Sequence, residues 1–179
     1  MTDRAPKSSR LILIVGLLLV IPLLLVLGRG LSLDPNTIRS PLIGQPAPAF
    51  ELPRLADNRL VHTKELRGKP LVLNFWATWC ASCPMEHPIL VEAARYYGSR
   101  VSFVGVAYND KNETIQSWLD QHGGATYPTL VDINGKAAIS YGVYGVPETY
   151  VIDPEGVVRF KHTGPVNPQL LQTQIEGLL

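Results

Sequence analysis

Both cysteines of the chain, Cys80 and Cys83, lie in one tetrad between an apolar run and a helical pattern. Residues 71–76 form a near-continuous apolar run rich in strand formers, which is typical of a strand buried on both faces. Over residues 84–98 the apolar positions recur at helical spacing, and Pro84 is tolerated in the first turn of a helix. The sequence therefore predicts a strand, a turn that holds both thiols, and a helix.

The spacing of the two cysteines indicates redox chemistry. Two intervening residues at the start of a helix bring the sulfurs within bonding distance, and the helix N-terminus stabilises Cys80 as a thiolate. A disulfide that serves stability alone usually closes a longer loop. A zinc site needs four ligands, which the scattered histidines do not supply. We therefore predict that Cys80 is a nucleophile and Cys83 its partner, with no metal and no organic cofactor.

The amino-terminal part of the chain predicts a membrane anchor. Residues 11–28 are apolar and uncharged over about the length that crosses a bilayer core. Basic residues precede this run, which by the positive-inside rule places the amino terminus in the cytoplasm. No small-residue cleavage site follows, so we expect the anchor to be retained. The predicted order is a cytoplasmic segment (1–10), a transmembrane helix (11–28), a tether (29–41) and an exported domain (42–179).

The exported part reads as one α/β domain. Predicted strands alternate with predicted helices, which favours this class. Spaced prolines over residues 43–53 predict an extended amino-terminal segment. The chain beyond residue 29 carries 12 basic and 14 acidic residues without a basic patch, so nucleic acid is an unexpected partner. Strands are predicted at 71–76, 101–107, 129–133, 149–153 and 157–161, and helices at 84–98, 112–122 and 167–178.

Three segments carry a resemblance to a known family. Residues 75–84 (FWATWCASCP) resemble the active-site signature of thioredoxin-fold proteins, and residues 44–50 (GQPAPAF) are similar to their TlpA-like or redoxin branch. Residues 141–153 (YGVYGVPETYVID) resemble the CcmG/DsbE-type thiol:disulfide interchange proteins. The resemblance implies a thioredoxin-like fold with an N-terminal extension and a central insertion at about 109–140, preceded by one transmembrane helix.

The resemblance also implies the elements of a site. Cys80 and Cys83 form the redox-active disulfide, and a cis peptide bond between Val146 and Pro147 faces it. An extended substrate strand pairs beside Val146, and Trp79 forms an exposed rim against which a partner packs. Spacing alone favours the rival Tyr127–Pro128 bond, but only Pro147 is followed by strand, turn, strand and helix, and we therefore expect the cis bond there.

One position departs from the family pattern. Ordinary thioredoxins carry a buried acid six residues before the first cysteine, where this chain has Asn74. An asparagine side chain cannot accept the proton of the second cysteine. We therefore predict that Glu148 acts as base toward Cys83, and that Glu86 makes the mouth of the site acidic and helps to select partners.

The function implied by the resemblance is reductive thiol–disulfide exchange in the bacterial periplasm. The expected client is apocytochrome c, or a maturation partner with a thiol pair, which is kept reduced for haem attachment. A DsbD- or CcdA-type reductase of the inner membrane is the expected electron donor. Two alternatives stay open: a TlpA-type reductase for another periplasmic client, such as a copper-site assembly protein, and a non-catalytic copper-binding or client-docking module.

Overall fold

The computed structural model describes residues 7–31 and 40–179, which form two separate units. The first unit contains helix α1 (Lys7–Leu31), with Pro22 inside it. Among the described residues, no helix is long and apolar enough to cross a membrane. The anchor over residues 11–28 stays a prediction. Residues 1–6 and 32–39, which belong to the predicted cytoplasmic segment and tether, lie outside the described residues.

The second unit is a five-stranded mixed sheet with helices on both faces and a small hairpin beside it. The strand order is β5-β4-β3-β6-β7, and the hairpin pairs β1 with β2. This architecture confirms the predicted thioredoxin-like α/β fold. The elements are β1 (Glu51–Pro53), β2 (Leu60–His62), β3 (Leu71–Trp76), α2 (Cys83–Tyr97), β4 (Ser102–Tyr108), α3 (Asn112–Gln121), β5 (Thr129–Asp132), α4 (Lys136–Tyr141), β6 (Glu148–Ile152), β7 (Val158–Thr163) and α5 (Pro168–Glu176).

Strand β3 is the centre of the sheet, and all six of its residues are buried. It runs parallel to β4 and antiparallel to β6. Alternate side chains enter two different cores: Leu73 and Phe75 pack with Tyr150 on one face, whereas Val72 packs beneath α2 and α5 on the other. Burial on both faces explains why this strand reads as an unbroken apolar run.

The predicted central insertion adds an edge to the sheet. It contains α3, β5 and α4, and β5 pairs in parallel with β4. Helix α3 buries Ile115, Trp118 and Leu119, the three side chains that its sequence pattern places on its inner face. Helix α4 and strand β2 were not predicted, because six and three residues are too few to show a periodic pattern.

The sheet topology brings the candidate site together at one edge. The tetrad follows β3, and the Val146–Pro147 bond precedes β6. Because β6 is antiparallel to β3, the end of β3 lies beside the start of β6, with Phe75 opposite Glu148. Segments that are 66 residues apart in sequence therefore meet beside Cys80.

Candidate active site

Cys80 and Cys83 form a disulfide, with their Cα atoms 5.5 Å apart. Helix α2 begins at Cys83, with Pro84 in its first turn. The Cys83 N–H group points at the Cys80 sulfur, with N and Sγ 3.1 Å apart. A helix N-terminus and a directed N–H group both favour negative charge on this sulfur. In the reduced protein, Cys80 is therefore the thiol that the local field activates.

The loop before β6 covers the disulfide. The Val146–Pro147 peptide bond is cis, which confirms the prediction, and the Tyr127–Pro128 bond is not cis. The carbonyl oxygen of Val146 lies 3.4 Å from the Cys80 sulfur. A partner strand that paired beside Val146 would thus place its own sulfur next to Cys80.

Trp79 lies on the rim of the site, as predicted, with 57% of its surface exposed. Its ring meets the Tyr108 ring edge to face, with centroids 6.0 Å apart. The indole is thereby oriented by the end of β4 and still presents most of its surface to solvent. An exposed, oriented aromatic ring is suited to packing against a partner protein.

Glu86 lies below the disulfide and not at the mouth of the site. Its side chain is 1% exposed, and its two oxygens accept hydrogen bonds from the Asn74 side chain (2.7 Å) and the Val166 N–H group (3.0 Å). Burial raises the pKa of this carboxyl to about 7, against the lowering effect of those two hydrogen bonds. The prediction that Glu86 makes the mouth acidic is wrong, because this face of α2 is turned toward the sheet.

Asn74 holds Glu86 in place. Its side-chain amide donates to the Glu86 carboxylate and also to the hydroxyl of Thr149, at 3.0 Å. Asn74, Glu86 and Cys83 line the same small cavity. The acid that is missing from β3 is therefore supplied by α2, three residues after Cys83. The sequence signal for this was the absence of a strand acid together with a glutamate one helical turn beyond the second cysteine.

Glu148 makes its contacts on the other face of the sheet. Its carboxylate is fully buried and accepts hydrogen bonds from the Tyr144 N–H group (3.1 Å) and the Tyr150 hydroxyl (3.1 Å), and it pairs with Lys161 at 2.9 Å. The next residue, Thr149, contacts Asn74 on the face that carries Glu86. Because neighbouring residues in a strand point to opposite faces, this geometry does not support the predicted role of Glu148 as base toward Cys83.

Comparisons with known proteins identify a family and named relatives. The AhpC/TSA family model matches residues 43–161. The thiol:disulfide interchange protein DsbE of Pseudomonas aeruginosa is 38% identical over 173 residues, which cover 96% of this chain and 93% of that protein. DsbE of Escherichia coli K12 is 37% identical over 173 residues, covering 89% of this chain and 92% of that protein.

Two solved structures show the same fold. A structure from Chlorobium tepidum, described as a thiol:disulfide interchange protein DsbE, aligns with a TM-score of 0.71 and 28% identity over 76% of this chain and 96% of that one. A DsbF homologue from Corynebacterium diphtheriae aligns with a TM-score of 0.68 and 28% identity, over 75% and 87% of the two chains.

The chain belongs to the AhpC/TSA family, as a DsbE-type thiol:disulfide interchange protein. The Cys80–Cys83 pair is the redox centre of this protein thiol:disulfide oxidoreductase. Two thiols in the reduced state and one disulfide in the oxidised state differ by two electrons and two protons. The site must therefore transfer electrons through sulfur and also provide a place for a proton.

One partly buried contact of this DsbE-type protein was missed by sequence reasoning. The Asp110 carboxylate accepts hydrogen bonds from the Thr78 N–H group (2.7 Å) and the Thr78 hydroxyl (3.0 Å). Thr78 lies in the turn that leads from β3 to Cys80, and Asp110 lies two residues after β4. The available signal was an acid at the carboxyl end of a strand that runs parallel to the strand before the cysteines, since such ends meet at one edge of a sheet.

Proposed function

We propose that this protein is a membrane-anchored reductant of the bacterial periplasm that acts in cytochrome c maturation. It keeps the cysteines of apocytochrome c, or of the maturation partner that handles them, reduced for haem attachment. A DsbD- or CcdA-type membrane reductase returns electrons to Cys80 and Cys83. Residues 11–28 hold it in the inner membrane, with the amino terminus in the cytoplasm and the domain in the periplasm.

One observation carries this proposal: the DsbE-like segment over residues 141–153 includes the loop before β6, which lies against the redox disulfide. Val146 of this segment lies 3.4 Å from the Cys80 sulfur, and Glu148 of the segment is held by Tyr144 and Lys161. A client that reaches the Cys80 sulfur therefore comes next to Val146 of this segment. Identity of 38% over nearly the whole chain supports the same reading.

The exchange begins at Cys80. In the reduced protein, the Cys80 thiolate attacks one sulfur of the client disulfide, so that the client S–S bond breaks and a Cys80–client bond forms. One client sulfur leaves as a thiolate. The Cys83 N–H group, at 3.1 Å, and the N-terminus of α2 stabilise the attacking sulfur before the bond forms.

The second step belongs to Cys83 and Glu86. The Cys83 thiol loses its proton, attacks the Cys80 sulfur and displaces the second client thiolate, which leaves the disulfide seen in the structure. Glu86 lines the same cavity as Cys83, and with a pKa of about 7 it can exchange a proton near neutral pH. We assign it as the proton acceptor, and we assign Glu148 to holding the Val146–Pro147 loop.

The test is a covalent trap in a host that makes c-type cytochromes. Replacing Cys83 by alanine removes the second step, so clients should accumulate as mixed disulfides with Cys80. Adducts are separated on non-reducing gels and identified by mass spectrometry. We expect apocytochrome c or a maturation protein with a thiol pair among them. The matched control is the Cys80→Ser/Cys83→Ala double variant, which should trap nothing.

The phenotype distinguishes the proposed client from the alternatives. A strain that carries only Cys80→Ser should lose covalently bound haem in its periplasmic cytochromes while general disulfide formation continues. Normal cytochrome c together with a trapped copper-site assembly protein would replace the proposal by the TlpA-type alternative. Absence of any adduct with the Cys83→Ala variant would favour a docking module that does not turn over.

A further inference from the structure

The turn between β3 and Cys80 is held by one hydrogen bond of its own and by two hydrogen bonds to Asp110, which lies two residues after β4. Within the turn, the Cys80 N–H group donates to the Ala77 carbonyl at 3.3 Å. From outside it, the Asp110 carboxylate accepts the Thr78 N–H group at 2.7 Å and the Thr78 hydroxyl at 3.0 Å. Thr78 is two residues before Cys80, so the position of Thr78 constrains the backbone position of Cys80.

The backbone that carries the Asp110 carboxylate is itself held in place by the sheet. Asn109, just before it, has a left-handed backbone with φ of 51°, which turns the chain sharply after β4. The Asn109 N–H group donates to the Asp132 carbonyl of β5 at 3.0 Å, and Asp110 is only 9% exposed. A group anchored in this way to the end of a sheet can hold a neighbouring turn with little freedom.

The chemistry of Cys80 depends on small distances. Its sulfur must remain near the Cys83 N–H group, at 3.1 Å, to be stabilised as a thiolate, and beside the Val146 carbonyl, at 3.4 Å, to meet a paired client. A shift of about 1 Å at a reacting atom can cost a hundredfold in rate. A residue that fixes the turn therefore contributes to the rate without touching the client.

We propose that Asp110 is a positioning residue for thiol–disulfide exchange: through its two hydrogen bonds to Thr78 it holds the turn that places the Cys80 sulfur. The proposal rests on the exchange reaction of Cys80 and not on which client is served. It also gives the central insertion, whose first residues are Asn109 and Asp110, a part in the reaction. The hydrogen bonds, and not the negative charge, carry the effect.

The experiment measures how fast a single thiol reacts in the full-length protein in detergent. All proteins carry Cys83→Ala, so that Cys80 is the only thiol, and the probes are iodoacetamide and the small disulfide 5,5′-dithiobis(2-nitrobenzoate). In Asp110→Ala we expect the rate at neutral pH to fall about tenfold, and the midpoint of the pH–rate curve to move to higher pH. Thr78→Val, which loses one of the two bonds, should lie between this variant and the parent.

Two variants separate positioning from charge and from stability. In Asp110→Asn the side-chain oxygen still accepts from the Thr78 N–H group and the amide donates to its hydroxyl, so the rate should stay within about threefold of the parent. Asp153→Ala is the matched control, because that buried carboxylate accepts from the Val157 N–H group at 2.7 Å at the other end of the sheet. It should lose stability and keep the parent rate.

Three results would overturn the proposal. The first is a folded Asp110→Ala protein with the parent rate and the parent pH midpoint. The second is an Asp110→Asn rate as low as that of Asp110→Ala, which would assign the effect to charge. The third applies if Asp110→Ala does not fold by circular dichroism: Thr78→Val then decides, and a rate and midpoint equal to those of the parent would refute the role.

Discussion

Glu86 is a residue whose ionisation is coupled to folding. Burial raises its pKa to about 7 in the folded protein, from an ordinary value of 4.5. Between these two values the folded state holds a proton that the unfolded state has released. The contribution of Glu86 to the free energy of unfolding is therefore greatest below about pH 4.5 and is lost as the pH rises to about 7.

We predict that Glu86→Gln removes this pH dependence. A pKa shift from 4.5 to about 7 corresponds to about 3 kcal/mol in the free energy of unfolding. Relative to the parent, the free energy of unfolding of the variant should therefore rise by about that amount between pH 4.5 and about pH 7. The measurement is urea unfolding of the oxidised proteins at several pH values. His87, whose pKa burial lowers, contributes with the opposite sign, and it cancels when the variant is compared with the parent.

The control for this prediction is an exposed glutamate on the same helix. Glu92 is exposed and stands 3.8 Å from Arg95, an arrangement that is worth little to stability. Glu92→Gln should keep the parent curve. If Glu86→Gln followed the parent curve as well, Glu86 would not be the group that titrates in this range.

At the scale of elements, the local sequence patterns predicted strands and helices whose apolar side chains are buried in the fold. Strand β3 is observed at the predicted residues, and α2 begins one residue before the prediction. The strand shows an apolar run because it is buried on both faces, and the helix is long enough to show apolar positions at helical spacing. Helix α4 was not predicted, because its six residues make fewer than two helical turns, which is too short to show a periodic pattern. Directly before this helix, Asn134 and Gly135 form a dipeptide that is typical of a turn.

Gly135 is the point where that turn becomes helix α4. It has a left-handed backbone with φ of 67°, and a Cβ atom at this position would stand 2.7 Å from Cε2 of Tyr108. We predict that Gly135→Ala lowers the free energy of unfolding by about 2–4 kcal/mol, because backbone strain and a collision add. Chemical denaturation measures the loss.

The other end of the same helix offers a matched comparison. Gly142 also has a left-handed backbone, with φ of 64°, but a Cβ atom there meets nothing within 4 Å. Gly142→Ala should therefore cost about 1 kcal/mol, from backbone strain alone. Equal losses in the two variants would mean that Tyr108 moves aside freely and that the collision carries no energy.

At the scale of the whole molecule, the sequence predicted the site's sulfur chemistry but not its acids. Cys80, Cys83 and the Val146–Pro147 bond are part of contiguous motifs. The roles of Glu86 and Glu148 depend instead on which face of the sheet each side chain enters, and that follows from strand register. Glu148 is opposite Phe75 and Thr149 opposite Asn74, so a one-residue change in pairing would exchange their faces.

Redox direction is also a property of the whole molecule, because the disulfide and the fold share one thermodynamic cycle. If folding lowers the reduction potential of the pair, which favours a reducing role, the folded protein is more stable oxidised than reduced, whereas a strong oxidant is stabilised in its reduced form. We predict that reduction of the Cys80–Cys83 bond, which spans only three positions, lowers the free energy of unfolding by about 1–3 kcal/mol. Urea unfolding with and without dithiothreitol measures this, and a Cys80→Ser/Cys83→Ser variant, which should not respond to the reagent, is the control. A reduced form more stable than the oxidised form would mean that folding raises the reduction potential of the pair above that of the unfolded chain, which would count against the proposed reductive role.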